Sequence, residues 1–262
     1  MQRKNTETKY GKINFAYRKG NPLIVFLNGF GSFDTAQSFS KVIESLPNEY
    51  GIFAPDYLNS GFSDEVLDAY TITDEANELV KIINSLKAKE VIILAHSIGG
   101  VYAMQMQNKI NNLKAFIGIE PTTREVILNP PKDPIYVEKS KNAQNLEEQI
   151  KKDLTKILTS KEYEEFWNTT EQNAQKFDEK ADSNAQASLE NDSYWKSNIK
   201  LVDTILAVLI TEEYRKAEYK RSEYFSNNAN SKVILLGESH YIHFEYPKEI
   251  ADIVKKTIEI CE

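Results

Sequence analysis

The sequence contains few of the residues that form disulfides and metal sites. Its one cysteine is Cys261, next to the last residue, and its histidines are limited to His96, His240 and His243. A single thiol excludes an internal disulfide and any site built from several thiolates. With so few histidines a zinc site is also disfavoured, and we expect no metal and no other cofactor.

Long apolar segments and clusters of basic residues are also missing. No apolar run approaches the roughly 20 residues that span a bilayer, and residues 2–7 are polar, unlike the apolar core of a signal peptide. The formal net charge is −7, without the clustered Lys and Arg that neutralise phosphates. We therefore expect a cytoplasmic protein with no membrane span and no nucleic-acid partner, while the oligomeric state stays open.

What the sequence does contain is an alternation of short β-type runs with helical patterns. The candidate strands are residues 13–17, 23–27, 52–54, 91–95, 115–119, 206–210 and 233–236. Run 23–27 is apolar throughout, as in strands that are buried on both faces of a parallel sheet. Apolar residues at helical spacing lie between the runs, for example in 76–86 behind the N-cap candidate Thr73. The pattern predicts one globular unit with a doubly wound, mostly parallel α/β sheet.

The alternation breaks between residues 121 and 199, which are rich in Lys, Glu, Asn and Gln. Helical stripes occur there, including Tyr163, Phe166 and Trp167, but no strand candidate of comparable quality. A disordered linker is the alternative, yet the aromatic stripe offers apolar surface worth burying. We interpret residues 121–199 as a helical cap inserted into a core domain formed by residues 1–120 and 200–262.

Ser97 follows the apolar run 91–95 and precedes a helical segment, which is the layout of a nucleophile elbow. Such a turn strains the serine backbone, so the residues two positions before and after it must be small; they are Ala95 and Gly99. The following helix directs free backbone N–H groups at the point where an oxyanion develops in acyl transfer. A small-Ser-small pattern also arises by chance, but its place between strand and helix favours a catalytic nucleophile.

A glycine-rich turn at 28–31 directly follows the strand candidate 23–27 and can present a backbone N–H without obstruction. We predict that the N–H groups of Phe30 and Ile98 form an oxyanion hole. An ordinary strand-to-loop turn would contain glycines as well. The loop at 56–63 is rich in turn-forming Asp, Gly and Ser, and we assign it a structural role beside the site.

A serine nucleophile needs a base, and only three histidines are available. His96 is adjacent to Ser97 in the turn, where neighbouring side chains diverge, so we expect it to pack beside the site. His240 lies in the loop nearest the end of the last strand, where site residues collect. His243 lies at the entrance of a helix, a position typical of capping or packing residues. We predict that His240 is the general base.

The acid that orients this histidine is expected between the serine and the histidine in chain order. Glu120 ends the strand candidate 115–119, and Pro121 is expected to keep it extended. Glu212 and Glu213 follow the strand candidate 206–210 in a comparable position. All three fit a plain surface role as well, and strand-end placement favours Glu120 as the acid.

Taken together, these segments resemble the α/β-hydrolase superfamily. The likeness rests on the turn at 28–31, the Asp-x-x-x-x-Gly-x-Ser loop at 56–63, the elbow at 95–100 and the terminal histidine segment at 240–247. It extends over residues 13–120 and 204–262, and the insertion between them matches in position only. As a set, the motifs are specific for the fold and weakly specific for the substrate.

Several positions depart from the usual family pattern. Asn28 stands where relatives commonly have His, Ala95 replaces the first glycine of the elbow, and Ser239 replaces the glycine before the catalytic histidine. The Gly-x-x-Asp turn that many members carry after the strand at 206–210 is absent. Members similar to haloalkane dehalogenases take a Glu from the end of the preceding strand instead, which fits Glu120. A dehalogenase itself is disfavoured because its nucleophile is Asp.

The resemblance implies a serine hydrolase that cleaves a small or medium carboxylic ester with an apolar acyl part. Ser97 would attack, His240 would transfer the proton, Glu120 would orient His240, and the N–H groups of Phe30 and Ile98 would bind the oxyanion. An aminopeptidase-type or C–C bond hydrolase on the same scaffold is the alternative enzyme. A ligand-binding receptor that turns over slowly or not at all is the alternative outside enzymes.

Overall fold

The computed structural model describes residues 1–66, 68, 70–132, 134–141, 146–175 and 199–262. In this part of the chain one eight-stranded sheet has the order β1-β2-β4-β3-β5-β6-β7-β8. The strands are β1 (Gln2–Glu7), β2 (Lys12–Arg18), β3 (Leu23–Leu27), β4 (Gly51–Pro55), β5 (Val91–His96), β6 (Leu113–Ile119), β7 (Leu206–Thr211) and β8 (Lys232–Leu235). Strand β2 runs antiparallel to both its neighbours, and every other neighbouring pair in this sheet is parallel.

Helices connect most of these strands. They are α1 (Thr35–Ser38), α2 (Ser40–Glu44), α3 (Ile72–Ser85), α4 (Gly99–Met106), α5 (Arg124–Leu128), α6 (Pro134–Lys141), α7 (Leu146–Ile157), α8 (Ser160–Ala174), α9 (Lys216–Arg221), α10 (Ile242–Glu245) and α11 (Pro247–Cys261), with a 3₁₀ turn at Glu213–Arg215. None of the helices in the described ranges is long and apolar enough to cross a bilayer.

Side chains along the central strands alternate between two hydrophobic cores. Leu23, Val25 and Leu27 of β3 pack on the face that α3 and α4 cover. Ile24 and Phe26 pack on the opposite face, against α2 and α11. Because successive side chains of a strand point to opposite faces, an apolar run such as β3 is stable only with helices on both sides. The predicted doubly wound, mostly parallel α/β sheet is confirmed.

The strand predictions hold to within one or two residues, with one omission and one misplaced cap. Strand β1 was not predicted because it is a polar edge strand, with five of its six residues exposed. Helix α3 begins at Ile72, and its N-cap is Thr71, whose side chain and that of Asp74 form a capping box. The predicted N-cap residue Thr73 therefore lies inside the first turn of α3. Either threonine suits an N-cap by residue type, and the extended backbone of Thr71 (φ −105°, ψ 163°) decides between them.

The predicted cap, residues 121–199, contains α5 to α8 in its described part, and no strand occurs there. Residues 133, 142–145 and 176–198 lie outside the described residues, so the second half of this prediction is not covered. Helices α7 and α8 pack on the core through a small cluster that includes Leu154, Phe166, Tyr241 and Phe244. The division into core and cap stays a prediction.

Candidate active site

Ser97 lies in the sharp turn between β5 and α4. Its φ is +51°, in the left-handed region that costs a non-glycine residue about 1–3 kcal/mol. Three backbone hydrogen bonds hold this turn: the Ser97 N–H donates to the Ile119 carbonyl (3.1 Å), and the Ser97 carbonyl accepts from Gly100 (3.0 Å) and Thr122 (2.9 Å). The turn has the strand-to-helix geometry that the sequence predicts, with a half-buried serine at its apex.

Small residues make this turn possible. A Cβ placed on Gly99 would lie 2.5 Å from the Leu27 carbonyl oxygen, closer than real Cβ atoms approach any heavy atom. Ala95 is completely buried under the same turn. The first turn of α4 therefore packs directly on the backbone of β3, and a larger residue at position 99 would push the two elements apart.

The turn at 28–31 is held from several sides. Asn28 Oδ1 accepts a hydrogen bond from the Gly29 N–H (2.9 Å), and the Tyr57 hydroxyl donates to the Asn28 carbonyl (3.1 Å). Ser60 Oγ donates to the carbonyl of Gly31 at 3.1 Å. Tyr57 and Ser60 belong to the loop at 56–63, so the structural role assigned to that loop agrees with its contacts.

The same turn lies against the serine. A Cβ on Gly29 would be 3.2 Å from the Ser97 Cβ. Among the hydrogen bonds between described residues, none uses the backbone N–H of Phe30 or of Ile98. Ile98 is the N-cap of α4, and the first N–H groups of a helix have no partner within it. Free backbone donors on the two segments that flank a serine are what an oxyanion hole requires.

His240 lies in the loop between β8 and α10, and about a third (34%) of its side chain is exposed. Its Nδ1 is 3.9 Å from Oε2 of Glu120. This distance is too long for a hydrogen bond but short enough for an ion pair once the imidazole is protonated, and catalytic hydrogen bonds are often long before substrate binds. The structure thus brings the predicted base and the predicted acid together.

The other two histidines pack behind His240. His96 Nε2 is 3.0 Å from the His240 carbonyl oxygen, which can only accept, so Nε2 carries the proton of His96. Burial, with the neighbouring His243 and His240, lowers the pKa of His96 well below its usual value. His243 stacks on Phe39 with ring centroids 4.6 Å apart, and burial, with His240, lowers its pKa to about 3. Neither ring is therefore suited to take up a second proton and act as a base at neutral pH.

Glu120 is 1% exposed and makes several strong contacts. Its Oε1 accepts from the Thr211 hydroxyl and from the Glu212 N–H (2.9 Å), and its Oε2 is ion-paired with Arg215. Burial alone would raise the pKa of Glu120, but Arg215 and His240 outweigh it and lower the pKa to about 2. The carboxylate is therefore ionised at neutral pH.

The expectation that Pro121 keeps Glu120 extended is wrong. The φ of Glu120 is +45°, in the left-handed region. The Glu120 N–H donates to the Ile210 carbonyl at 2.9 Å, which anchors the backbone while Arg215 and Thr211 anchor the carboxylate. These tertiary contacts override the local preference of a residue before proline.

Of the alternative acids, Glu212 supplies only its backbone N–H to Glu120, and Glu213 is exposed. The residue that sequence reasoning missed is Arg215. It is 6% exposed, and besides Glu120 it binds both oxygens of Glu218, at 2.9 Å from Nε and 2.7 Å from Nη2. The sequence feature that could have pointed to Arg215 is the segment 211–215, which occupies the place of the missing Gly-x-x-Asp turn. Instead of an Asp, this segment supplies contacts to Glu120 from Thr211, Glu212 and Arg215.

The aromatic stripe of α8 faces the same side of the core. Phe166 is buried between Phe33 and Phe244, with ring centroids at 5.3 and 5.9 Å. Asn173 Nδ2 donates to the Ser32 carbonyl (3.1 Å), just after the turn at 28–31. The indole N–H of Trp167 is buried and finds no acceptor among the described residues. Helix α8 is thus fixed above the segment that carries Phe30.

Comparisons with known proteins agree with this architecture. The sequence profile described as the alpha/beta hydrolase family matches residues 24–253. Smu.1393c from Streptococcus mutans is similar in structure, with a TM-score of 0.84 and 26% identity over 98% of this chain and 97% of that one. An esterase from Exiguobacterium antarcticum has a TM-score of 0.66 at 15% identity (95% and 96% covered), and the epoxide hydrolase CorEH has 0.71 at 12% (100% and 99%).

In sequence, the chain is 31% identical over 91 residues to the uncharacterized protein Rv2715 of Mycobacterium tuberculosis. This match covers 35% of the chain and only 26% of that relative. The family profile, by contrast, extends from β3 into α11 and includes the serine turn, Glu120 and His240. The chain belongs to the alpha/beta hydrolase family.

Proposed function

We propose that the protein is a serine hydrolase that cleaves small or medium carboxylic esters with an apolar acyl part. In this proposal Ser97 is the nucleophile, His240 the general base and Glu120 the acid that orients it. The backbone N–H groups of Phe30 and Ile98 form the oxyanion hole.

The observation that carries the proposal is the backbone of Ser97, at φ +51° between a buried strand and the start of a helix. A strained conformation persists only where the surrounding contacts enforce it, and such strain clusters at functional sites. The unpaired N–H groups of Phe30 and Ile98 flank this serine, and His240 with Glu120 lies at the same edge of the sheet. These supports come from separate segments of the chain.

The reaction needs only these groups and water. Ser97 Oγ adds to the ester carbonyl while His240 takes its proton, and the two N–H groups stabilise the oxyanion. His240 then donates that proton to the leaving alcohol, which leaves an acyl-serine. Water, deprotonated by His240, attacks this second ester and releases the acid, and the proton returns to Ser97.

Epoxide hydrolases are among the proteins of similar fold, so epoxide opening is the natural rival. A serine that opened an epoxide would form an ether, which activated water does not cleave, and the cycle would stop after one turnover. An acyl-serine ester is readily hydrolysed. Ser97 at the apex of the turn therefore favours a carbonyl substrate. The half-buried rings of Tyr163 and Trp167, packed against the cluster of Phe166, support an apolar acyl part.

A series of p-nitrophenyl esters from acetate to decanoate, together with a fluorophosphonate probe, tests the proposal. We expect the wild-type protein to turn over the short and medium esters and to be labelled once. Ser97→Ala should lose both activities, with kcat lower by on the order of 10⁶, while its circular dichroism is unchanged. Ser239→Ala, beside His240, is the matched control and should keep both activities.

Labelling that survives in folded Ser97→Ala would contradict the assignment of the nucleophile. If the folded wild-type protein shows neither turnover nor labelling, the enzyme proposal is wrong, and a ligand-binding protein becomes the better interpretation.

A further inference from the structure

Behind Glu120 lies a buried chain of three charges. Arg215 is ion-paired with Oε2 of Glu120, the same oxygen that faces His240 Nδ1. On its other side Arg215 binds Glu218 in a two-point contact at 2.9 and 2.7 Å. Glu218 is 4% exposed and also accepts from the Thr123 hydroxyl. Low exposure means that solvent screens these charges weakly.

The net charge of Glu120, Arg215 and Glu218 determines how well this group stabilises a protonated His240. A triad acid stabilises the imidazolium because it presents a full negative charge to it. Arg215 would cancel the charge of Glu120 if the two formed an isolated pair. Glu218 restores the balance, because Glu120, Arg215 and Glu218 together carry one net negative charge. A protonated His240 then makes the whole group neutral.

We propose that Glu218 is a positioning residue for the hydrolase, acting on His240 through Arg215 and Glu120. Its carboxylate holds the Arg215 fork and supplies the negative charge that lets Glu120 serve as the triad acid. This inference rests on the proposed function, since it takes His240 as the base. It assigns a role to a residue of α9 that does not itself reach the reacting atoms.

The other histidines and the tyrosines near these three charges do not provide this negative charge. His240 is faced by His96 from β5 and by His243 and Tyr241 from the segment around α10, all neutral at neutral pH because burial disfavours their charged forms. Burial likewise raises the pKa of Tyr136 and Tyr214, which lie near Glu120.

Around Glu218 the remaining groups are Tyr219, Arg221 and Glu223. Tyr219 lies under the Arg215 guanidinium and stays neutral because burial raises its pKa. Arg221 pairs with Glu125 at the surface. Glu223 is buried, accepts from the Arg124 N–H at 2.6 Å, and has its pKa raised by burial. Of these groups, Glu218 alone contacts Arg215 with a carboxylate.

The test is the pH dependence of kcat/KM for the best p-nitrophenyl ester in Glu218→Gln. Gln keeps the shape of the Glu218 side chain but removes its charge, so protonated His240 is stabilised less. The acidic limb of the pH profile of kcat/KM should therefore move down by about 0.5–1 pH unit. The plateau kcat should fall by about 3- to 10-fold, because the same support is lost in the transition state. An acidic limb at the wild-type position in folded Glu218→Gln would overturn the proposal.

Two control variants separate charge from structure. Glu213→Gln removes the same charge from an exposed position (74% of its side chain) in the preceding turn, and it should leave both the limb and kcat unchanged. Glu218→Asp keeps the charge but shortens the side chain, so it should lower the melting temperature without moving the limb. If the acidic limb moved as far in Glu218→Asp as in Glu218→Gln, the contact of Glu218 with Arg215 would act only through packing, and the charge argument would be wrong.

A second variant, expected to shift the acidic limb in the opposite direction, tests the proposal if Glu218→Gln does not fold. Arg215→Gln removes the positive charge nearest Glu120, so the acidic limb should move up. A downward shift or none would contradict the charge argument.

The imidazole signal of His240 gives a readout that does not depend on activity. Burial lowers the pKa of both His96 and His243, so neither of these rings should interfere with the His240 signal when it is followed by NMR as a function of pH. Its midpoint should fall in Glu218→Gln even if no ester is a substrate. An inactive wild-type protein with this shift would refute the ester proposal alone, and an active one without it would refute only the role of Glu218.

Discussion

Ser97 and Glu120 share an uncommon backbone conformation at the ends of neighbouring strands. Their φ angles are +51° and +45°, and β5 pairs with β6 up to His96 and Ile119, the residues just before them. Each left-handed residue costs about 1–3 kcal/mol, which the surrounding hydrogen bonds must offset. Two adjacent turns of this kind bring a hydroxyl and a carboxylate to the same edge of the sheet.

The histidine assignment predicts different losses for two neighbouring residues. His240→Ala should lower kcat nearly as far as Ser97→Ala, because nucleophile and base act as one unit. His243→Ala should keep most of the activity but melt at a lower temperature, since its buried ring packs on Phe39. Ester turnover and thermal melts of both variants check this. The reverse pattern would make His243 the base.

The acid assignment is tested with near-isosteric amides. Glu120→Gln should lower kcat by up to about 10⁴, because the amide cannot stabilise the imidazolium. Glu212→Gln should change kcat little, because the hydrogen bond from residue 212 to Glu120 comes from the backbone N–H, which this substitution keeps. Both variants would be assayed on one ester across pH. Full activity in Glu120→Gln would contradict the assignment of Glu120. The site would then work either as a Ser-His pair or with a different acid.

At the scale of elements, α8 connects the helices that follow β6 with the turn after β3 and with α2. A capping box at Thr159 and Glu162 starts the helix, and Glu162 also pairs with Lys41 of α2 at 2.6 Å. Burial, however, is concentrated in one ring, since Phe166 is 3% exposed while Tyr163 and Trp167 remain half-buried. The stripe therefore divides into a packing residue and two rings that retain accessible surface.

This division predicts that two adjacent truncations differ. Phe166→Ala should reduce the free energy of unfolding by about 3–5 kcal/mol and leave the ranking of acyl lengths unchanged. Trp167→Ala should cost less stability and alter that ranking, because a half-buried indole with an unpaired N–H suits a pocket wall. Urea unfolding and the ester series measure both. An unchanged ranking in Trp167→Ala would assign that ring to packing.

At the scale of the whole molecule, one buried carboxylate joins α3, α4 and the loop after β4. Glu75 is 1% exposed and accepts from the Tyr102 hydroxyl and from the Leu58 N–H. Tyr102 stacks on Tyr57, with ring centroids 4.2 Å apart, and Tyr57 supports the turn at 28–31. Burial raises the pKa of Glu75 to about 7, against hydrogen bonds that lower it.

A raised carboxyl pKa has a definite sign for stability. The folded state holds the Glu75 proton up to about pH 7, whereas the unfolded chain releases it near pH 4.5, so stability falls as pH rises between these values. Glu75→Gln should therefore be more stable than wild type at pH 8 by about 2–3 kcal/mol, with little difference at pH 4.5. Urea unfolding at both values measures this. Glu78→Gln on the same helix is the control, and equal pH dependence in all three proteins would contradict the prediction.

Much of the core and part of the candidate site follow from local patterns. Apolar runs such as 23–27 demand burial on both faces, which requires helices on both sides of a parallel sheet. The small residues around Ser97 permit one kind of turn, and the scarcity of histidine limits the base to three positions. These signals are local, because each depends on the conformation that a few consecutive residues can adopt.

The sequence by itself thus determined the sheet, the elbow and the candidates for nucleophile and base. Tertiary structure alone decided that Glu120 turns left-handed, that it faces His240, and that Arg215 and Glu218 stand behind it. The physical reason is that electrostatic contacts join residues about 95 positions apart, as in the ion pair of Arg215 with Glu120. No periodicity or motif records such a contact, since a buried charge is stabilised only by the partners that folding brings to it.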